Sequence, residues 1–155
     1  MMQNTLARAP SALRIVAELP RDAAFGRACA HLMTRAAFAR APFGHVARSL
    51  AGQVNRGHYA FAARGDAVVG FAGWALTSEA TAEAWLAGAR GFDDADAADG
   101  DCVVLNFWQA DDAQAGRLLT AHMTKALPQA RLLFAKRHYP DGRVRPVRLR
   151  LTQRR

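Results

Sequence analysis

Apolar side chains recur at helical spacing in two segments near the start of the chain. The first segment predicts a helix over residues 22–35, which the carboxylate of Asp22 can cap. The second predicts a helix over residues 43–56, which follows Pro42 and ends at Gly57. The apolar positions of this second helix are Phe43, Val46, Leu50 and Val54. Such a face suits a dimer contact as well as a core, so a homodimer is left open.

The rest of the chain alternates between strand and helix patterns. Strands are predicted over residues 58–64, 67–75, 102–109, 131–138 and 143–151. Gly65-Asp66 and Pro140-Asp141-Gly142 are turn signals between neighbouring strands. Ser78 starts a further helix, and Asp111 or Asp112 caps one that extends to about residue 127. The order α-α-β-β-α-β-α-β-β predicts an α+β fold, with helices packed on a single, mixed and mainly antiparallel sheet.

Length and composition indicate one globular domain. The chain has 155 residues, 51% of them hydrophobic, which suits a sizeable core. Residues 1–20 are predicted to be a loose arm, and residues 21–155 the domain. No apolar run reaches the roughly 18–20 residues that a membrane-spanning helix needs. The first residues lack the continuous apolar segment of a secretory signal. We therefore expect a cytoplasmic protein without a membrane span.

The formal charge of +8 arises entirely from the end of the chain. Residues 131–155 hold nine Lys and Arg against one acid, Asp141, while the other 130 residues hold 12 basic and 12 acidic side chains. Such a segment attracts an acidic partner through long-range, salt-sensitive electrostatics. An acidic carrier protein and a nucleic acid both fit this charge, and so does a solvated basic hairpin without a partner.

Neither the cysteines nor the acidic residues follow a pattern typical of a metal site. Cys29 and Cys102 are far apart in the sequence and are predicted to be buried thiols. Residues 91–101 are predicted to be a short helix or loop. This segment lacks the alternate-ligand spacing, the central Gly and the closing Glu of a calcium loop, so we expect no metal site there. Its acidic residues considered for such a site are Asp93, Asp94, Asp96 and Asp99.

Residues 57–76, GHYAFAARGDAVVGFAGWAL, form a predicted hairpin with a Trp on its second strand and a helix start after it. This unit resembles the central hairpin of the toxin-activating lysine acyltransferases. These are small bacterial enzymes of the GNAT fold that move a fatty acyl chain from acyl carrier protein onto a lysine. The resemblance covers about residues 25–151 and includes Leu32 and Gly100-Asp101. It implies a GNAT-like sheet and an acyltransferase activity.

The resemblance also indicates two catalytic positions. The family has a His after the first helix, in a Ser-Pro-x-His setting, and an Asp on the strand that here covers 102–109. Without a gap, Phe38 aligns with that His, whereas a short gap aligns His45 with it. We prefer His45 as the proton acceptor, because Phe cannot accept a proton. The family's Asp aligns with Asn106, which can orient an imidazole or hold a carbonyl but cannot act as a base.

The same resemblance implies a donor and its binding site. The acyl thioester is expected between splayed strands, beside Trp74 and Phe107. Lys136, Arg137 and His138 are expected to bind acids of the carrier protein or the phosphate of its pantetheine arm. A coenzyme A site needs a phosphate-binding loop before the next helix, but residues 110–116 read ADDAQAG and are acidic. We therefore expect acyl carrier protein as donor, no resident cofactor, and a lysine of a toxin or of a small precursor peptide as acceptor.

The other histidines are interpreted as residues without a catalytic role, and two alternative functions are considered. His58, at a strand start, is interpreted as structural, and His31 and His122 as non-catalytic helix residues. One rival is a non-catalytic relative that binds an acyl chain or a carrier protein, favoured by Phe38 and Asn106 at the catalytic positions. The other is a nucleic-acid-binding module that uses the basic segment. The sequence has no helix-turn-helix, zinc spacing or stacked-aromatic RNA motif, so no nucleic-acid partner is expected.

Overall fold

The computed structural model describes residues 11–89, 91–93 and 95–152. The strands are β1 (Leu13–Val16), β2 (Tyr59–Arg64), β3 (Ala67–Thr77), β4 (Cys102–Ala110), β5 (Leu132–His138) and β6 (Val144–Arg150). The helices are α1 (Arg21–Leu32), α2 (Ala36–Ala39), α3 (Phe43–Arg56), α4 (Glu79–Leu86) and α5 (Ala113–Ala126). The side chain of Ser78 accepts a hydrogen bond at the start of α4, and that of Asp112 accepts one at the start of α5. Both caps agree with the sequence-based prediction.

The strands form one six-stranded sheet in the order β1-β2-β3-β4-β5-β6. Every neighbouring pair is antiparallel except β4 and β5, which are parallel. Helix α5 connects these two strands, because parallel neighbours need a crossover that returns the chain to the same end of the sheet. The predicted α+β fold, with a mixed and mainly antiparallel sheet and flanking helices, is confirmed.

An extra residue interrupts the pairing of β3 with β4. Gly73 pairs with Phe107 and Trp74 pairs with Leu105, so Asn106 between them is a β-bulge. The parallel pairing of β4 with β5 ends at the same place, at Leu105 and Ala135. Both strands continue beyond that pair, β4 to Ala110 and β5 to His138. The two strands therefore separate beside the bulge.

Helices cover both faces of the sheet. Alternate residues of β3 point to opposite faces, so Phe71 joins the core beneath α1 and α3, while Ala72 and Trp74 join the core beneath α5. A third apolar cluster lies beneath α4 and includes Val104 and Phe134. Because strand residues of both faces are buried, the strands are apolar almost throughout.

The predicted arm contains a strand that sequence reasoning missed. Residues 13–16 form β1, which pairs with β2 at the edge of the sheet. Ile15 packs against the core beneath α5, and Val16 packs against the core beneath α1 and α3. A segment of four residues is too short for its alternation of apolar and polar side chains to be recognised. Its partner strand also lies more than forty residues later in the sequence. The remainder of the predicted arm, residues 1–10, lies outside the described residues.

The first two predicted helices differ in detail from the helices of the structure. The first helix ends at Leu32 rather than at residue 35, and the one-turn helix α2 follows it. In α3, Leu50 and Val54 are buried, but the Phe43 side chain is 76% exposed. Most of that apolar face therefore belongs to the core, and the homodimer stays a prediction.

Only glycine fits at position 100, because the backbone there passes close to the backbone of Thr77. Gly100 has φ +148°, and a Cβ there would collide with the carbonyl oxygen of Thr77. The described part of 91–101 contains one isolated bridge, between Ala98 and Leu76, and no helix. The segment is therefore a loop, and Gly100 lets it return to β4.

Candidate functional site

Three of the predicted site residues meet at the bulge of β4. Asn106 is the bulged residue and is half-buried, and Phe107 beside it is buried. Trp74 lies opposite on β3 and is 3% exposed. Within the described residues, neither Oδ1 of Asn106 nor Nε1 of Trp74 has a hydrogen-bond partner, although both atoms are buried.

Gln53, which sequence reasoning did not single out, lies against the neighbouring residue of β3, Gly73, on the opposite face of the sheet from Trp74. It belongs to the last turns of α3, and its side chain is 1% exposed. A Cβ on Gly73 would collide with Oε1 of Gln53, so only glycine leaves room for this amide on β3. Oε1 is buried and finds no partner in the described part of the chain. The available signal was a glutamine beside Leu50 and Val54 on the apolar face of a helix.

His58 connects the end of α3 to β3. Its backbone N–H donates to the carbonyl oxygen of Gln53 at 2.9 Å, and its carbonyl oxygen accepts from the N–H of Trp74 at 3.0 Å. The imidazole stacks on the indole of Trp74. Nδ1 is buried and has no hydrogen-bond partner among the residues that the structure describes. Burial lowers the pKa of His58 below its usual value, and the positive charge of Arg56 lowers it further.

We call Gln53, His58, Trp74 and Asn106 the bulge cluster. Each places a buried, unpaired polar atom beside the Gly73–Trp74 step of β3 or the bulge opposite it. More than nine in ten buried polar groups in proteins have a partner. An unpaired one costs about 1–3 kcal/mol of stability. Trp74 and the stacked His58 lie on the α5 face of β3, whereas Gln53 lies on the α3 face, so the cluster flanks this step of the sheet from both sides.

His45 lies apart from this cluster. It is exposed in the first turn of α3, and within the described chain its ring has no hydrogen bond, ion pair or stacking contact. Gln53 is eight positions further along α3, which corresponds to about 12 Å along the helix axis. Phe38, the other residue aligned with the family's His, has its ring centroid 5.6 Å from that of Phe107. Phe38 therefore packs beside one predicted site residue, and the role of His45 stays a prediction.

Carboxylates of the protein itself occupy the start of α5. Asp112 accepts from the N–H of Ala115 at 2.9 Å and from Nη1 of Arg64 at 2.7 Å. The hydrogen bond from Arg64, followed by that from the backbone, lowers the pKa of Asp112 to about 2. Asp111 accepts from Nη2 of Arg35 at 2.8 Å. The N-terminus of a helix binds phosphate through free backbone N–H groups. At the start of α5 the carboxylate of Asp112 already occupies that position.

His31 lies near the same end of β4. Its Nε2 is 4.0 Å from Oδ1 of Asp111, a pairing that the sequence did not indicate. Burial lowers the pKa of His31, although Asp111 opposes this shift. Asp111 is five positions after the bulge at Asn106, about 17 Å along an extended strand. We therefore treat His31 as separate from the bulge cluster.

Lys136, Arg137 and His138 lie on β5 beyond the point where it leaves β4. Nζ of Lys136 lies 4.4 Å from the ring centroid of Trp85 on α4. Lys136 and His138 line a pocket of about 400 Å³ between the end of α4 and the β5–β6 hairpin. These three residues therefore form a group distinct from the bulge cluster, at the far side of the opening between β4 and β5.

The basic hairpin contains both paired and unpaired cations. Arg148 bonds to Glu79, as does Arg131. In contrast, Arg145 and Arg150 are exposed on β6 and have no ion pair within the described residues. The surface of the β5–β6 hairpin is therefore positive.

The thiols are poor candidates for catalysis. Cys102 is buried and Cys29 is half-buried. Burial, followed by a hydrogen bond to Asp101, raises the pKa of Cys102 to about 11, and burial also raises the pKa of Cys29. Both remain protonated at neutral pH, and a thiol is a much weaker nucleophile than a thiolate.

The described residues contain no group of three or more His, Cys, Asp and Glu placed to hold a metal ion. In the same residues, no helix is both long and apolar enough to span a membrane.

Solved structures resemble this fold, although no protein-family model and no curated protein matches the sequence. The loading GNATL domain of CurA from Lyngbya majuscula has a TM-score of 0.58 and 12% identity, over 84% of this chain and 69% of that one. The GphF GNAT-like decarboxylase in complex with isobutyryl-CoA has a TM-score of 0.56 and 19% identity, over 82% of this chain and 67% of that one. The chain has the GNAT fold. At these identities the likeness concerns the fold alone.

Proposed function

We propose that this protein is an acyltransferase that moves a fatty acyl group from acyl carrier protein to the side-chain amine of a lysine. The observation that supports this most strongly is the bulge at Asn106, at the point where β4 and β5 separate. An opening between two parallel strands admits a narrow pantetheine arm. A bulge frees main-chain groups from the ladder, where they can stabilise the oxyanion of a tetrahedral intermediate.

A carrier protein suits the start of α5 better than coenzyme A does. Asp111 and Asp112 place two carboxylates where the pyrophosphate would bind, and Asp112 already uses the N–H of Ala115. Carrier-bound and coenzyme A thioesters share the pantetheine arm but differ beyond it, where only coenzyme A has a pyrophosphate and a nucleotide. The GphF neighbour is a structure with isobutyryl-CoA, so the fold itself is compatible with thioesters.

The basic hairpin is the proposed docking surface for the carrier. Arg145 and Arg150 present cations that no acid of the described chain neutralises. Lys136, Arg137 and His138 lie where a phosphate would enter the opening between β4 and β5. Complementary charge accelerates the encounter with an acidic carrier and is weakened by salt.

The acceptor is proposed to be a lysine of a secreted toxin or of a small precursor peptide. Dependence on acyl carrier protein would place the reaction in the cytoplasm. From the family resemblance, His45 is the proposed proton acceptor and Asn106 its helper. We also propose that the protein forms a homodimer through the end of α3 at which Phe43 is exposed.

A second candidate is a non-catalytic protein that binds an acyl chain or an acyl carrier. The observation in its favour is the contact of Phe38 with Phe107, because an apolar residue packs where the resembling family has its His. Such a protein would bind acyl carrier tightly and transfer nothing.

The test is intact mass of a lysine peptide after incubation with the protein and an acyl donor. Acyl carrier protein loaded with fatty acids of several lengths is compared with the same acyl groups on coenzyme A. We expect an acyl mass gain from the carrier and a much smaller one from coenzyme A. Equal gains would contradict the proposed donor. Carrier binding without transfer to the peptide or to free n-butylamine would favour the non-catalytic candidate.

A further inference from the structure

One face of the β5–β6 hairpin has no covering helix in the described part of the chain. Phe134 belongs to the core beneath α4, and Arg148 lies over its ring, so these two residues mark the α4 face of the hairpin. Alternate residues of a strand point to the opposite face, which is the side of the sheet that carries α5. Helix α5, however, packs over β1 to β4. We call the uncovered side chains the open face: Leu133, Ala135 and Arg137 on β5, and Arg145, Val147 and Leu149 on β6.

The open face is apolar at one end. Leu133 pairs with Leu149, and Ala135 pairs with Val147. The Leu149 side chain is 52% exposed, and the other three are half-buried. None of the four is part of the three apolar cores of the described chain. Contiguous apolar side chains left open on a surface are typical of an interaction site.

The other end of the open face is positive. Arg137 and Arg145 are exposed and pair directly opposite each other, where like charges repel. Within the described residues neither has an ion pair, because the one acid of the hairpin, Asp141, bonds to Arg143. A carboxylate from outside the chain would relieve this repulsion and could bond to both guanidinium groups.

We propose that the open face docks an acidic, amphipathic helix of acyl carrier protein. This inference rests on the proposed acyltransferase function and identifies where its donor binds. A helix laid on this face beside α5 would extend the helical layer over the last two strands of the sheet. Its apolar side chains would cover Leu133, Val147 and Leu149, and its carboxylates would meet Arg137 and Arg145.

The open face borders the opening between β4 and β5. Ala135 belongs to this face and pairs with Leu105, the last residue of β4 before the two strands separate. Arg137 is two residues further along β5, beside the opening. A carrier docked on the open face therefore has its pantetheine arm next to the opening that the thioester is proposed to enter.

Charge and apolar surface together favour an acidic protein as the occupant. A nucleic acid would match the arginines of the open face but leave its leucines uncovered. A second copy of this chain would bring further arginines to a face that is already positive. The acids at the start of α5 repel an acidic partner little, because Asp111 is bonded to Arg35 and Asp112 to Arg64.

The first experiment compares two substitutions on the same strand. The side chains of Leu149 and Val144 are 52% and 50% exposed, but they lie on opposite faces of β6. Leu149→Glu and Val144→Glu therefore make the same change in charge on different faces. Calorimetric titration with carrier protein that lacks its pantetheine arm measures docking alone. We expect Leu149→Glu to raise Kd at least about 10-fold and Val144→Glu to raise it less than about 2-fold. Equal effects, or no binding by the wild-type protein, would overturn the proposed face.

The second experiment locates the contact and tests for other occupants. Methyl NMR follows Leu133, Val147 and Leu149 while the carrier is added, with Val144 as the internal reference. We expect the first three signals to shift and that of Val144 to stay. In the free protein, a soluble paramagnetic agent should broaden the Leu149 signal. Protection of Leu149 by another segment of this chain or by a second copy would overturn the proposal. Shifts caused by phosphatidylglycerol vesicles but not by the carrier would overturn it as well.

Transfer to a lysine peptide separates this inference from the proposed function. We expect Leu149→Glu to raise KM for the acyl carrier about 10-fold, and KM for acyl-pantetheine, which has no carrier, much less. Carrier-dependent transfer that is equally efficient in Leu149→Glu would overturn the docking face and leave the acyltransferase function standing. Carrier binding at the open face without transfer to the peptide or to n-butylamine would contradict the acyltransferase function and leave the docking face standing.

Discussion

The imidazole of His58 stacks on the indole of Trp74, with ring centroids 6.2 Å apart and planes inclined by 12°. The stack fixes the ring beside β3 and buries Nδ1 on a side where the described residues offer it no partner. A histidine held in this way stays neutral, because burial disfavours the imidazolium. The pair therefore holds a neutral imidazole on the α5 face of β3.

Trp74→Phe separates the stacking role of the indole from its N–H group. A phenyl ring can still stack on His58 but cannot donate a hydrogen bond. If Nε1 stabilises the oxyanion, kcat should fall by about 100-fold, while the protein remains folded by circular dichroism. The adjacent substitution Trp108→Phe, on the half-buried end of β4, is the matched control and should change kcat little. Equal losses in both variants would argue for a general packing effect.

Charge reversal on β6 should weaken carrier docking. Arg145 is exposed and without an ion pair in the described structure, so Arg145→Glu removes attraction without breaking an internal contact. We expect KM for the acyl carrier to rise several-fold at low salt and the difference to shrink as salt increases. Arg117→Glu on the exposed face of α5 makes the same change in net charge elsewhere. If both variants raise KM equally, total charge rather than the hairpin governs docking.

Gly100→Ala should destabilise the fold. Its φ of +148° is unfavourable for alanine, and the new Cβ would collide with the carbonyl oxygen of Thr77. We expect a loss of at least about 2 kcal/mol in the free energy of unfolding. Gly88 also has a positive φ, +77°, but a Cβ there would meet nothing within 4 Å. Gly88→Ala should therefore lower the free energy of unfolding by only about 1 kcal/mol. Urea unfolding of both variants would measure the contribution of the collision.

Stability should decrease in mild acid because of His31. Its pKa is lowered in the folded protein, so the unfolded chain binds a proton first as pH falls below about 6.5. The associated stability is present above that pH and is lost as pH falls toward the folded-state pKa. Urea midpoints at pH 7.5 and about 5.5 should differ less in His31→Asn than in the wild-type protein. An unchanged difference would assign the effect to His58 or to other groups.

Local patterns were sufficient for most elements. The helix predicted over 43–56 has those bounds, since its apolar spacing, Pro42 and Gly57 all act within one segment. The strands of both hairpins and the Asp112 cap were predicted to within about two residues for the same reason. The α+β class then followed from the order of the elements.

The sequence also determined which residues could take part in chemistry, but only the tertiary structure decided which of them meet. Asn106, Trp74 and Phe107 were predicted together, and they do meet. Gln53 approaches Gly73 from the α3 face, and His58 stacks on Trp74 on the α5 face, whereas His45 reaches neither. A bulge, a strand separation and the burial of an amide depend on contacts between residues distant in sequence. Periodicity within one segment contains no information about such contacts, and so the site itself required the folded chain.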